Sequence, residues 1–252
     1  MPLDSTDAPS TATPLYWLHG FTQTGASAHR FRSILAGQRP VVGPDLPGHG
    51  SQRHHARTLE ETADDIAATL PVDPVIVGGY SLGGRVALHL ALRHPEKLRA
   101  LILVGATRGL PTPNARAARR QRDETLARHI EDVGADAFID EWLAQPMFAR
   151  LPVDEAERRA RQANDAAGLA SSLRLSGTGT QRWLGEDIPS LPMPILAIAG
   201  AADDRFATEA LALAHDAPRG EASLVPGAGH AAHLQQPALT AALVAAFCAR
   251  YG

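Results

Sequence analysis

Val75-Ile76-Val77-Gly78-Gly79-Tyr80-Ser81-Leu82-Gly83-Gly84-Arg85 is the stretch on which the fold turns. It opens as a continuous β-branched run, and residues 82–93 carry the apolar spacing of an amphipathic helix. Between strand and helix lies a G-x-S-x-G, Gly79 to Gly83. A nucleophile elbow needs this setting. The serine takes a strained backbone conformation at the strand's end, and glycines two residues to either side let strand and helix pass closely. An ordinary Gly-rich turn with a capping serine is the plainer alternative; the flanking strand and helix favour the elbow.

Outward from the elbow, residues 15–18, 41–43, 75–79, 101–104, 195–199 and 223–225 read as strands. They are continuous apolar runs rather than alternating ones, as parallel strands covered on both faces require. Residues 27–36, 59–70, 82–93, 208–215 and 238–249 read as the helices between them. The β-α-β-α order predicts an α/β chain with a doubly wound, mostly parallel sheet. The rhythm breaks after Val104. Residues 116–131, 135–143 and 154–173 read as helices with no strand among them, and Asp154 with Glu157 has the spacing of a capping box. The expected organisation is a loose tail over 1–13, an α/β core over 14–106 and 186–252, and a helical cap over 107–185. A helical insert between two strands of a parallel sheet is most simply a cap over the edge where ligands bind.

Composition narrows the function classes. The 252 residues are 44% apolar, enough for a sizeable core, and carry a net charge of −3 with no basic block, which argues against non-specific nucleic-acid binding. Lys97 is the only lysine among 24 basic residues, so lysine-centred chemistry is confined to it. A G+C-rich coding sequence is the plain explanation of the arginine excess. Cys248 stands alone, which excludes an intrachain disulfide and a cysteine metal site and fits a reducing cytoplasm. The polar first residues lack the charged and apolar regions of a signal peptide, and no apolar run is long enough to span a bilayer.

The candidate chemistry gathers at strand ends. His230, in Pro226-Gly227-Ala228-Gly229-His230, follows the last expected strand and can serve as general base toward Ser81. His233 raises a metal-pair alternative, but no third ligand is evident, so no metal is expected. An acid should lie between serine and histidine in chain order, and Asp203 or Asp204 after the fifth strand can orient the imidazole. Asp203 is preferred as the last residue of a G-x-x-D turn. His19-Gly20-Phe21 follows the first strand, and the Phe21 amide, with that of Leu82, can form an oxyanion hole. His19 itself reads as structural, and Asp45-Leu46-Pro47-Gly48-His49-Gly50-Ser51 as a loop that shapes the fold.

These residues resemble the α/β-hydrolase-fold superfamily from His19 to the C-terminus. Within it, the chain resembles the menaquinone-pathway family of 2-succinyl-6-hydroxy-2,4-cyclohexadiene-1-carboxylate (SHCHC) synthases. The resemblance rests on Gly79-Tyr80-Ser81-Leu82-Gly83-Gly84-Arg85, the arginine-rich 119–123 segment ending in aspartate, Trp142-Leu143-Ala144-Gln145-Pro146-Met147-Phe148, Leu173-Arg174-Leu175-Ser176-Gly177-Thr178-Gly179-Thr180-Gln181, Asp203-Asp204-Arg205-Phe206 and Gly229-His230-Ala231-Ala232-His233. The chain departs from the pattern at Ser51, which follows Gly50 directly, at Ala201 in place of an acid, and at Arg182-Trp183.

The resemblance implies a pyruvate-eliminating lyase rather than a hydrolase. It implies 2,5-elimination from 2-succinyl-5-enolpyruvyl-6-hydroxy-3-cyclohexene-1-carboxylate, with Ser81 acting as base through His230 and Asp203 and with no cofactor. The partner would be a small-molecule polycarboxylate, neither nucleic acid nor membrane; oligomeric state is left open. Three substrate carboxylates suit planar, bidentate arginines, and the resemblance nominates Arg85, Arg119 and Arg161, with Tyr80 and Trp142 lining the pocket. Two other readings stay open: a carboxylesterase or carbon–carbon bond hydrolase, and a non-catalytic binding protein.

Overall fold

The computed structural model describes residues 12–152 and 154–252, so the tail expected over 1–13 lies almost wholly outside the described residues. Strands β1 (Leu15–Leu18), β2 (Val41–Val42), β3 (Val75–Tyr80), β4 (Leu98–Val104), β5 (Ile195–Gly200) and β6 (Gly220–Val225) form one sheet in the order β2-β1-β3-β4-β5-β6. Every pairing in it is parallel. β3 and β5 are buried at every residue, which is why they are apolar without alternation.

Helices cover both faces. On one side α2 (Leu59–Thr69), α3 (Leu82–Arg93) and α8 (Asp204–Asp216) pack on Val75, Val77, Leu101 and Leu103. On the other, α1 (His29–Ala36) and α10 (Pro237–Tyr251), which follows the short α9 (Ala232–Gln235), pack on Ile76, Ala100, Ile102 and Val104. The period-two split of β3 and β4 between the two cores is the pleat at work. Among the described residues, no helix is long and apolar enough to cross a membrane.

Between β4 and β5 the chain builds α4 (Pro113–Val133), α5 (Ala135–Leu143), α6 (Glu155–Arg161) and α7 (Ala166–Ser176). α4, α5 and α7 share an apolar cluster of their own, in which Ala127, Ile130, Phe138, Leu169 and Leu173 are buried and against which Phe21 and Trp142 pack.

Some expected boundaries move. β4 begins at Leu98, three residues early, because Leu98 pairs with Val75 before a register shift. α8 begins at Asp204, where Asp203 caps it. The single helix expected over 154–173 is two. Asp165 caps α7, and the Asn164 side chain takes the Arg161 carbonyl, which ends α6. The expected capping box is half made. Asp154 accepts the Ala156 and Glu157 amides, but the Glu157 carboxylate turns away to the Ala28 amide. The full box stands at Thr58 and Glu61, at the start of α2.

The sheet's order reverses between β1 and β3, its first and third strands in sequence. Open α/β sheets bind ligands at such a switch point, outside the carboxyl ends of the strands. The loop after β1 and the turn after β3 therefore meet at one place.

Candidate active site

Ser81 stands between β3 and α3 with φ 51° and ψ −103°, a left-handed backbone rare for a residue with a side chain. Its amide donates to the Val104 carbonyl at 2.9 Å. A Cβ on Gly79 would lie 2.4 Å from the Gly83 carbonyl, and one on Gly83 would lie 2.1 Å from the Leu18 oxygen. Glycine is required at both positions by contact, which is the physical content of the G-x-S-x-G.

His230 brings Nε2 to 3.2 Å from Ser81 Oγ. Its Nδ1 faces Asp203 Oδ2 at 3.5 Å, long for a hydrogen bond and close enough to orient the ring. Gly105, at φ 55°, makes room: a Cβ there would stand 3.2 Å from the imidazole. Phe206 packs on the ring at 4.4 Å between centroids. Asp203 Oδ1 meanwhile accepts the Phe206 amide at 3.2 Å. Burial opposes ionisation of Asp203, but the nearby His230 ring and the hydrogen bond from the Phe206 amide outweigh it and hold the carboxyl below its ordinary value.

The Ser81–His230 pair lies at the base of a cavity of about 340 Å³ roofed by α4, α5 and α7. Phe21 and Leu82 reach its wall. Leu82 opens α3, where the first amides of a helix lack intrahelical acceptors and the macrodipole favours negative charge. Neither the Phe21 nor the Leu82 amide has an acceptor among the described residues.

Arg85, Arg119 and Trp142 also reach the wall. Arg85 is buried and donates to the Ser176 carbonyl at 2.7 Å. Burial, then the neighbouring Arg119, push its guanidinium down to about 9, so it remains a cation at neutral pH. Arg119 Nε donates to Asp123 Oδ1 at 2.7 Å.

Tyr80 and Arg161, expected on the wall, stand behind it among the described residues. Tyr80 ends β3 with its ring on the opposite core face, 4.4 Å from the ring of His233. Arg161 points from α6 to the loop after β1, where it donates to Thr22 Oγ1, and it also donates at 3.2 Å to Glu157 Oε1 one turn earlier on α6.

Two arginines that lie within the quoted motifs but are not nominated as substrate contacts, Arg122 and Arg205, take places on the wall. Signals for both were present. Arg122 lies three residues from Arg119, on the same face of α4, and Arg205 adjoins the acid turn.

The other strand-end residues are scaffolding. His19 accepts the Leu46 amide at Nε2 and bonds the Gly20 carbonyl through Nδ1, which fixes a neutral tautomer with the proton on Nδ1. Asp45 accepts the Gly25 amide at 2.6 Å and the Ser51 amide at 2.8 Å, closing its loop.

A serine on a strained elbow, an imidazole in reach of it, a carboxylate behind the imidazole and a capped cavity define a class. The chain belongs to the alpha/beta hydrolase family, whose model matches residues 15–243. Within that class its relatives are more particular. The 2-succinyl-6-hydroxy-2,4-cyclohexadiene-1-carboxylate synthase of Enterobacter sp. (strain 638) is 32% identical, over 92% of this chain and 90% of its own length. The enzyme of the same name from Serratia proteamaculans (strain 568) is 31% identical over 90% of each. The solved structure of MenH from S. aureus superposes with a TM-score of 0.89 at 25% identity, covering 97% of both chains.

Proposed function

We propose that this chain is an SHCHC synthase, which eliminates pyruvate from 2-succinyl-5-enolpyruvyl-6-hydroxy-3-cyclohexene-1-carboxylate. The observation that carries the reading is an arginine-walled cavity directly above Ser81 and His230, in a chain about one-third identical to synthases of that name. In this reading His230 Nε2 takes the Ser81 proton, and Asp203 stabilises the imidazolium that results. The Ser81 alkoxide removes the ring proton next to the succinyl ketone. The electron pair moves into the ketone to give an enolate, which the Phe21 and Leu82 amides hold. Collapse of the enolate through the ring double bond breaks the carbon–oxygen bond, and enolpyruvate leaves to become pyruvate. No acyl-enzyme forms.

The three substrate carboxylates would face Arg85, Arg119, Arg122 and Arg205, the arginines on the wall. Arginine's planar fork suits carboxylates in a partly dry site better than lysine's point charge does. A cytoplasmic place goes with this reading, because Cys248 is a free thiol.

The second reading is a serine hydrolase, favoured by the same Ser81–His230–Asp203 geometry, since an oxyanion hole serves a tetrahedral intermediate equally well. One assay separates them. Pyruvate release from the cyclohexene substrate, followed spectroscopically for wild type and Ser81→Ala, should be fast in the first and nearly abolished in the second. Rapid turnover of short-chain nitrophenyl esters without pyruvate release would select the hydrolase. Full pyruvate release by Ser81→Ala would refute the mechanism.

A further inference from the structure

Phe21 stands where the sheet meets the cap. Its ring packs edge-on against Trp142 of α5 at 5.3 Å between centroids. Its chain neighbours are held just as firmly from α6 and the turn that leaves it. The Gly20 amide donates to Gln23 Oε1 at 2.8 Å, and Gln23 Nε2 donates to Glu157 Oε1 at 3.0 Å. Glu157 Oε2 accepts the Ala28 amide at 2.7 Å. Arg161 donates to Thr22 Oγ1 and to Glu157. Asn164 Nδ2 donates to the Thr22 carbonyl at 2.7 Å, while its Oδ1 accepts the Gly50 amide at 2.9 Å.

All five of these side chains are buried. Thr22 itself sits at φ 65°, a conformation that a β-branched residue keeps only where its surroundings impose it. A buried ion pair is weak support for stability, because apolar packing would serve as well or better; what a network of buried polar side chains adds, even with Arg161 Nε left without a partner among the described residues, is a single geometry. Here that geometry belongs to the residues on either side of Phe21. Glu157 and Asn164 stand off the cavity wall, as Arg161 does, so none of the three is placed to contact the substrate.

We propose that Glu157, Arg161 and Asn164 are positioning residues that set the Phe21 amide of the oxyanion hole, making the cap part of the electrostatic machinery. The proposal rests on the oxyanion role given to Phe21 above.

The test uses Asn164→Asp, which removes the donor to Thr22 and leaves the ion pair, and Glu157→Gln. For each, kcat and KM for pyruvate release are measured beside the rate at which a fluorophosphonate phosphonylates Ser81 and expels fluoride, a reaction that also uses the oxyanion hole but not the substrate's carboxylates. The expected result is a kcat at least about tenfold lower, phosphonylation slowed by a similar factor, and a KM within about twofold of wild type. A raised KM with unchanged kcat, or phosphonylation at the wild-type rate, would overturn the proposal. If Glu157→Gln does not fold, Asn164→Asp decides. A wild type that is phosphonylated but releases no pyruvate would refute the synthase reading while the phosphonylation rates still judge this one. A wild type that releases pyruvate but is not phosphonylated would overturn this proposal and leave the synthase reading standing.

Discussion

Arg85 Nη1 donates to the carbonyl oxygen of Ser176 at 2.7 Å, across 91 residues of sequence, and so ties α3, the helix that follows Ser81, to α7. The partner is neutral. The neighbouring carboxylate, Asp123, is bonded to Arg119. A buried guanidinium anchored by a neutral carbonyl keeps its charge, and under the proposed synthase reading that charge would face a substrate carboxylate.

Arg85→Ala should therefore raise KM or lower kcat/KM for pyruvate release at least tenfold, about 1.4 kcal/mol for one lost charged contact. Steady-state kinetics on the purified variant check this. Unchanged constants would remove Arg85 from the site.

Asp203 has two tasks that one substitution separates. Asn is as good a helix cap as Asp, so Asp203→Asn should keep the bond to the Phe206 amide and a melting temperature near that of wild type. Facing His230 Nδ1 with an amide instead of a carboxylate favours the wrong tautomer and leaves the imidazolium unsupported. kcat should fall by a factor of about 10² to 10⁴. A variant with wild-type kcat would show that the carboxylate does only structural work.

Four buried histidines make stability depend on pH; in one of them, His89, burial outweighs the opposing charge of Glu60 and holds the ring down to about 4. Burial first of all holds His19 down to about 4; burial followed by the charge of His19 holds His49 down to about 3; burial, then Arg161 and His230, holds His233 down to about 3. In the unfolded chain each titrates near about 6.5. Below that pH the unfolded chain takes up protons that the folded chain refuses, so stability is full above about pH 7 and falls as the pH drops toward 4. Thermal melts should show a midpoint at pH 5 lower by at least about 5 °C than at pH 7.5. His49→Asn, which cannot titrate, should flatten that slope.

The elbow glycines can be tested against a glycine that has room. In Gly83→Ala the new methyl would meet the Leu18 carbonyl oxygen at 2.1 Å, and both groups are backbone. Destabilisation of about 3 kcal/mol or more is expected, seen as a large drop in melting temperature or loss of folded protein. Gly37 has φ −66° and its nearest neighbour, the Ile34 oxygen, at 3.7 Å. Gly37→Ala should be neutral or stabilising by about 0.4–1 kcal/mol, through the unfolded chain.

Local sequence carried a large share of this protein. The strands are short apolar runs because both faces of the sheet are covered, and a period of that kind needs no knowledge of partners. The elbow was legible for the same reason: strand, serine, glycines and helix are contiguous, and their steric demands are met within about ten residues. The break at 162–165 was not legible. The Asp165 cap is a local signal, but the Asn164 side chain that stops α6 also bonds Thr22, and that partner is far away in sequence.

The arginines mark the boundary most clearly. Sequence gave 23 of them and a reason for some to meet carboxylates, but residue type and spacing do not say which way a helix faces. Only the packing of α4 over the sheet put Arg119 and Arg122 on the cavity wall, and only the docking of α6 onto the loop after β1 turned Arg161 away from it, toward Glu157 and Thr22. Short-range sterics are written into consecutive residues. The direction of a long cationic side chain is set by whichever buried acceptor a distant segment brings within reach.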